Sequence, residues 1–137
     1  MRMNRRIYKK IDEISELGDF FLDIKEYDKA LEQYNKALDL IPEPKYQCEA
    51  SALLYVSIGD TYYYKEMYQE AISNLKEALK CPEGMENPYI NLRIGECYYE
   101  LGELSNAKSY LVEAYTIAGV NIFEGEPQKY YGLLDNC

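Results

Sequence analysis

One short pattern occurs three times in this chain, and that repetition restricts its fold more than any other feature. Leu17-Gly18, Ile58-Gly59 and Ile94-Gly95 each put a large aliphatic residue before a glycine. An aromatic follows three residues after every glycine: Phe21, Tyr62 and Tyr98. Alanine recurs twelve residues after it (Ala30, Ala71, Ala107) and nineteen after it (Ala37, Ala78, Ala114). Between the alanines, at sixteen, stands a bulky residue: Tyr34, Leu75 and Leu111. A self-similar unit of this length predicts a stack in which each copy buries its apolar face on its neighbours.

The spacing reads as helix hairpins. Two helix backbones approach closely only where side chains are small, with large residues filling the gaps alongside. Gly18, Gly59 and Gly95 fall inside helical patterns, where glycine costs about 1 kcal/mol against alanine. Three of them at equivalent places predict close contact rather than helix ends. Lys25-Glu26-Tyr27-Asp28, Glu66-Met67-Tyr68-Gln69 and Gly102-Glu103-Leu104-Ser105 mark the turns, with Tyr27, Tyr68 and Leu104 plugging each hairpin. Tyr34, Tyr62 and Tyr98 join Tyr27 and Tyr68 as expected core residues.

This pattern resembles the tetratricopeptide repeat, a helix-turn-helix unit of about 34 residues. The first copy ends in the expected proline, Pro42; Pro82 closes the second one residue early, and the third closes at Gly119. Four residues before the glycine stand Ile14, Tyr55 and, departing from the pattern, Asn91. The resemblance implies an all-α superhelix of three tetratricopeptide-like hairpins, at about 8–42, 45–83 and 88–119, within one domain 1–137. A helix at 128–135 would cap the last hairpin. The first two glycines are 41 residues apart and the next pair 36. Pro44 is expected to open a long helix through Lys45 to Cys48 into the second copy, with an ordinary loop as the alternative. Residues 87–102 and 122–130 are similar to small bacterial tetratricopeptide proteins, some of which act beside toxins or secretion systems.

Composition removes most chemistry. The 137 residues include no histidine, so histidine-based triads and general bases and the usual metal sites are excluded. Cys48, Cys81, Cys97 and Cys137 are scattered without C-x-x-C spacing, which predicts free thiols and neither disulfides nor a metal site. Gly84 and Gly125 are isolated, so no phosphate-cradling loop is present. The expectation is no enzyme and no cofactor. No apolar run suggests a membrane span or a signal segment, and the expected location is cytoplasmic. Residues 1–10 hold five basic groups (Arg2, Arg5, Arg6, Lys9, Lys10), while the remainder carries ten basic residues against 24 acidic ones. That acidity disfavours nucleic acid, whose phosphates it would repel, and the basic start reads as a solvated helix end rather than a membrane contact.

In proteins similar to this, the first helix of each hairpin lines a concave face. Carried onto this sequence, that geometry places Asp19, Asp60 and Glu96 in the groove, then Leu22, Tyr63 and Tyr99, then Asp23, Tyr64 and Glu100. Asp12, Leu53 and Tyr89 lie upstream on the same face. The groove is therefore expected to be acidic and floored with tyrosine, suited to a basic peptide or protein segment through charge, cation–π and stacking contacts. Family members that clamp acidic chaperone tails use basic groups at places that hold Ser15, Asp19, Val56, Asp60, Leu92 and Glu96 here, so that function is not expected. The function implied is a non-catalytic protein-interaction scaffold. Alternatives are an immunity protein neutralising a basic toxin, a secretion or effector chaperone, and self-assembly of exposed apolar edges into a homodimer.

Overall fold

The computed structural model describes residues 5–136, so Arg2 of the basic start and Cys137 lie outside the described residues. The described residues contain no strand. Three antiparallel hairpins follow one another: α1 (Arg5–Asp23) with α2 (Tyr27–Asp39), α3 (Glu49–Tyr64) with α4 (Tyr68–Lys80), and α5 (Pro88–Glu100) with α6 (Leu104–Ala118). A 3-10 turn at Val120–Phe123, the short α7 (Gln128–Gly132) and a 3-10 turn at Leu133–Asn136 complete the fold. Within the stack, α2 packs on α3 and α4 on α5.

The three glycines set the hairpin geometry. A Cβ on Gly18 would lie 2.6 Å from Tyr34 Cε1, one on Gly59 2.6 Å from Leu75 Cγ, and one on Gly95 2.7 Å from Leu111 Cγ. Each glycine thus admits the bulky residue sixteen positions later, and Tyr34, Leu75 and Leu111 are fully buried there. The flanking alanines Ala30, Ala37, Ala71, Ala78, Ala107 and Ala114 are all inaccessible to solvent. They let the second helix lie close against the first.

The turns repeat as faithfully as the helices. Seven residues after each glycine the backbone enters the left-handed region: Lys25 (φ 63), Glu66 (φ 62) and Gly102 (φ 79). The amides of Glu26, Met67 and Glu103 then return to the carbonyls of Phe21, Tyr62 and Tyr98 at 2.8–3.0 Å. Such a left-handed closure satisfies carbonyls that a helix C-terminus leaves unpaired. Tyr27 and Tyr68 are half-buried at the turns, with Tyr27 stacked on Tyr64 of the following hairpin. Leu104 is instead exposed, with no further hairpin among the described residues packed over it.

The expected long helix after Pro44 is not formed. Lys45–Gln47 makes a single 3-10 turn and α3 begins at Glu49. The Lys45 ammonium donates to the carbonyls of Leu38 (3.1 Å) and Ile41 (2.7 Å), and Ser51 Oγ donates to the Lys45 carbonyl at 2.5 Å. The segment therefore closes the end of α2 instead of extending α3. By contrast α5 starts sharply, with Pro88 in its first turn and the Asn87 side chain accepting from the amides of Tyr89 and Ile90.

Candidate functional site

The C-terminal half of the expected groove is filled by the chain itself. Arg93 of α5 is 4% exposed and lies where a basic partner was expected. Its Nε donates to Asp60 Oδ1 at 3.1 Å, and its Nη1 to Glu96 Oε1 at 2.8 Å and Glu126 Oε1 at 3.4 Å. Nη2 donates to the Tyr89 hydroxyl at 2.7 Å, which donates in turn to Asp60 Oδ2 at 2.7 Å. Three rings surround the guanidinium, with centroids 4.3 Å (Tyr63), 5.3 Å (Tyr89) and 5.6 Å (Tyr64) away. A desolvated cation among acids and ring faces gains from both terms.

Charge balance in this cluster fixes a proton. One guanidinium meets three carboxyl groups, and Glu96 is completely buried. Burial, followed by a hydrogen bond from its protonated form to Glu126, pushes the Glu96 carboxyl up to about 9, against the lowering influence of Arg93. Its Oε2 has no hydrogen-bond partner, and an ionised oxygen buried without one is disfavoured, in the same direction. Burial likewise raises Asp60, with Arg93 opposing, and raises the Tyr63 hydroxyl to about 12.

The capping segment closes the same half. The Tyr130 hydroxyl donates to Glu100 Oε2 at 2.9 Å and lies 2.9 Å from the Tyr63 hydroxyl, while its ring meets Tyr99 edge-on at 5.3 Å. Lys129 Nζ pairs with Glu100 Oε2 at 2.8 Å. Of the groove residues expected from sequence, Asp60, Tyr63, Tyr89, Glu96, Tyr99 and Glu100 are thus gathered in one place and engaged by Arg93 and the cap. Glu96 is a correction to the open-floor expectation, because it has no solvent-exposed surface.

The N-terminal half is open. Between α1 and α3 lies a cleft of about 560 Å³ with Tyr8, Ile11, Leu53 and Leu54 among its apolar walls. Asp12, Glu16, Asp19 and Glu49 line it, and no lysine or arginine does. Leu53 is 70% exposed over this cleft. Asp19 accepts a hydrogen bond from the Tyr34 hydroxyl at 2.5 Å. Leu22, Asp23 and Tyr64 line a separate shallow depression of about 450 Å³ with Lys25 and Tyr27, near the hairpin turns. Asp19 and Asp60 occupy equivalent places one residue after the glycine, but their surroundings differ. The Arg93 place is taken by Ser57 in the second copy, so nothing from α3 reaches Asp19 as Arg93 reaches Asp60.

Residues 12–83 and 88–121 match the tetratricopeptide repeat. The chain belongs to the tetratricopeptide-repeat family. A TPR repeat-containing protein of Methanocaldococcus jannaschii is 30% identical over 144 residues, covering 100% of this chain and 24% of that protein. The chain spans only 14–24% of the length of the curated relatives it matches. Among solved structures, the first TPR of Spaghetti (RPAP3) bound to the HSP90 peptide SRMEEVD superposes with a TM-score of 0.74 at 20% identity, covering 93% of this chain and 94% of that one. The Yersinia enterocolitica type III secretion chaperone SycD, in complex with a peptide of the translocator YopD, superposes with a TM-score of 0.75 at 17% identity, covering 93% and 92%. Tetratricopeptide repeats are protein-interaction modules, and this chain has the fold of two that hold peptides.

Arg93 and Glu126 are the residues that sequence reasoning missed in this tetratricopeptide chain. Arg93 was within reach, because it lies one helical turn before Glu96 and so shares its face. Glu126 carried no such signal, being in a loop that only the tertiary fold brings back. Among the described residues no helix is long and apolar enough to cross a membrane, and no group of acids and cysteines is arranged to hold a metal.

Proposed function

We propose that this tetratricopeptide chain is a non-catalytic binding module whose open α1–α3 cleft takes an arginine-bearing segment of another protein. The observation that carries this reading is internal to the chain. Asp60 holds a guanidinium supplied by α5, while the equivalent Asp19 faces a cleft with three further carboxylates and no cation along its walls. A partner arginine there would repeat the Arg93–Asp60 pairing, and a neighbouring apolar side chain would cover Leu53. Carboxylates also attract such a segment over distance, an effect screened beyond about 10 Å at 0.1 M salt. The acidic walls disfavour an acidic peptide such as the one held by the RPAP3 domain. A chaperone for a secreted partner, like the Yersinia protein, is the second reading, and an immunity protein masking a basic toxin would use the same surface.

Calorimetric titration with a peptide carrying arginine and leucine tests this. Asp12→Lys combined with Asp19→Lys should weaken binding at least tenfold while helicity is kept, and added salt should weaken it in the unsubstituted chain. Replacing the peptide arginine by lysine should also reduce affinity, since the planar fork is lost. Affinity indifferent to both charge reversal and salt would place binding elsewhere.

A further inference from the structure

The half of the groove that the chain fills itself is a template for the half it leaves open. Two side chains do the filling. Arg93 meets Asp60, and Tyr130 of the cap is seated about one turn further along α3 and α5. There its hydroxyl donates to Glu100 Oε2 at 2.9 Å and lies 2.9 Å from the Tyr63 hydroxyl. The Tyr130 ring meets Tyr99 edge-on and is 2% exposed.

The repeat carries both seats into the α1–α3 half. By the 41- and 36-residue offsets between the glycines, Asp60 corresponds to Asp19, Tyr63 to Leu22 and Glu100 to Tyr64. Leu22 and Tyr64 line the depression of about 450 Å³ near the turns, together with Asp23 and Tyr27. The Tyr27 ring stacks on Tyr64 at 6.3 Å, so the floor is apolar and aromatic. At the places five residues after the glycines, each half of the groove has one carboxylate and one tyrosine. The filled half has Tyr64 on α3 and Glu100 on α5; the open half has Asp23 on α1 and Tyr64 on α3. The carboxylate has changed sides, and Asp23 stands where a tyrosine hydroxyl would find its acceptor.

The second seat lies beyond the first on both helices. Residues between 8 and 19 and between 49 and 57 line the cleft, and Leu22, Asp23 and Tyr64 the depression. Asp19 and Asp23 are about 6 Å apart along α1. An extended segment covers about 7 Å in two residues and turns both side chains to the same side. We propose that the groove reads an arginine and a tyrosine two residues apart in an extended segment of the partner protein. The arginine pairs with Asp19, and the tyrosine ring lies on Leu22 and Tyr64 with its hydroxyl donating to Asp23. This second contact rests on the arginine role proposed for the cleft, and adds the chemistry of the neighbouring side chain.

Calorimetric titration of the full chain with a peptide series tests the proposal. Each peptide keeps the arginine and leucine used for the cleft, and has tyrosine, phenylalanine or alanine two residues from the arginine, on one side or the other. In one of the two orders, tyrosine should bind about tenfold tighter than alanine, with phenylalanine between them. Asp23→Ala should abolish the advantage of tyrosine over phenylalanine. Asp23 is exposed at the C-terminal end of α1, where an acid opposes the helix dipole, so helicity should be kept. Arginine peptides that bind equally whichever residue stands there overturn the proposal and leave the arginine role of the cleft standing. A tyrosine preference that Asp23→Ala leaves intact puts the ring elsewhere and overturns it as well. Failure of every peptide to bind overturns the cleft role and the proposal together.

Discussion

Arg93 shows how one side chain can change the reading of a surface. The acids and tyrosines expected to attract a basic ligand do attract one, but the ligand is a residue of α5. Removing it would leave Asp60 and Glu126 without their cation, and unpairing a buried charge costs about 3–5 kcal/mol. Glu96 is the sensitive member. Its folded value of about 9 stands above the ordinary 4.5, so the folded chain holds a proton that the unfolded chain has lost. Stability from this group is complete below about 4.5 and is lost as pH rises toward 9. The raised Asp60 acts in the same direction. Glu96→Gln keeps an acceptor for Arg93 and a donor for Glu126 without a titrating proton. We expect the variant's stability relative to the parent to rise between pH 6 and pH 9 by about 2 kcal/mol, the scale of an unsatisfied buried group. Urea unfolding at the two pH values measures this, and parallel pH dependence in both proteins would refute the assigned proton.

At the scale of the elements, the hairpins were legible because their constraints are local. A glycine and a bulky residue sixteen positions later face each other across two antiparallel helices, and spacing alone records that pairing. The turn is equally regular, but its chemistry is uneven. Gly102 adopts φ 79 freely, while Lys25 and Glu66 hold φ near 62 with a Cβ. A left-handed residue with a Cβ costs about 1–2 kcal/mol, part of which glycine returns through its freer unfolded chain. Glu66→Gly should therefore stabilise the protein by about 0.5–1 kcal/mol, seen as a higher thermal midpoint. A lower midpoint would mean that the Glu66 side chain contributes more than its backbone costs. The segment after Pro44 was not legible for a related reason. Its structure is set by Lys45 reaching back to carbonyls on α2, a contact between elements that helix-start signals do not encode. Gly84 is similar: it read as an isolated glycine, yet a Cβ there would lie 1.9 Å from the Ala78 carbonyl oxygen.

Over the whole molecule, the acids were legible in the sequence but the groups that engage them were not. Of the acids at equivalent positions in the three copies, Asp60 and Glu96 meet at Arg93, while Asp19 lines the α1–α3 cleft. Asp60 is taken by Arg93 and Tyr89 of α5, and the cap, returning at 120–134 across α5 and α6, adds Glu126 against the same Arg93. The cap buries Phe123 and Tyr130, 7% and 2% exposed, and burying a large apolar side chain contributes about 1.5–3 kcal/mol. A chain ending at Gly119 should lose about 3–6 kcal/mol by that measure, an upper estimate given residual burial in the unfolded state. The same truncation would return water to Glu96 and take away Glu126, so its remaining stability should also decline less between pH 6 and pH 9. Glu126→Gln separates the two effects. It keeps the cap's apolar contacts and an amide oxygen for Arg93 while removing the negative charge facing Glu96, so the alkaline loss should shrink. Thermal unfolding of the parent, the truncation and the substitution at both pH values reads all three. An alkaline loss of equal size in every protein would mean that the cap does not govern the buried carboxyl, and that Arg93 and Asp60 set its proton from within the repeats alone.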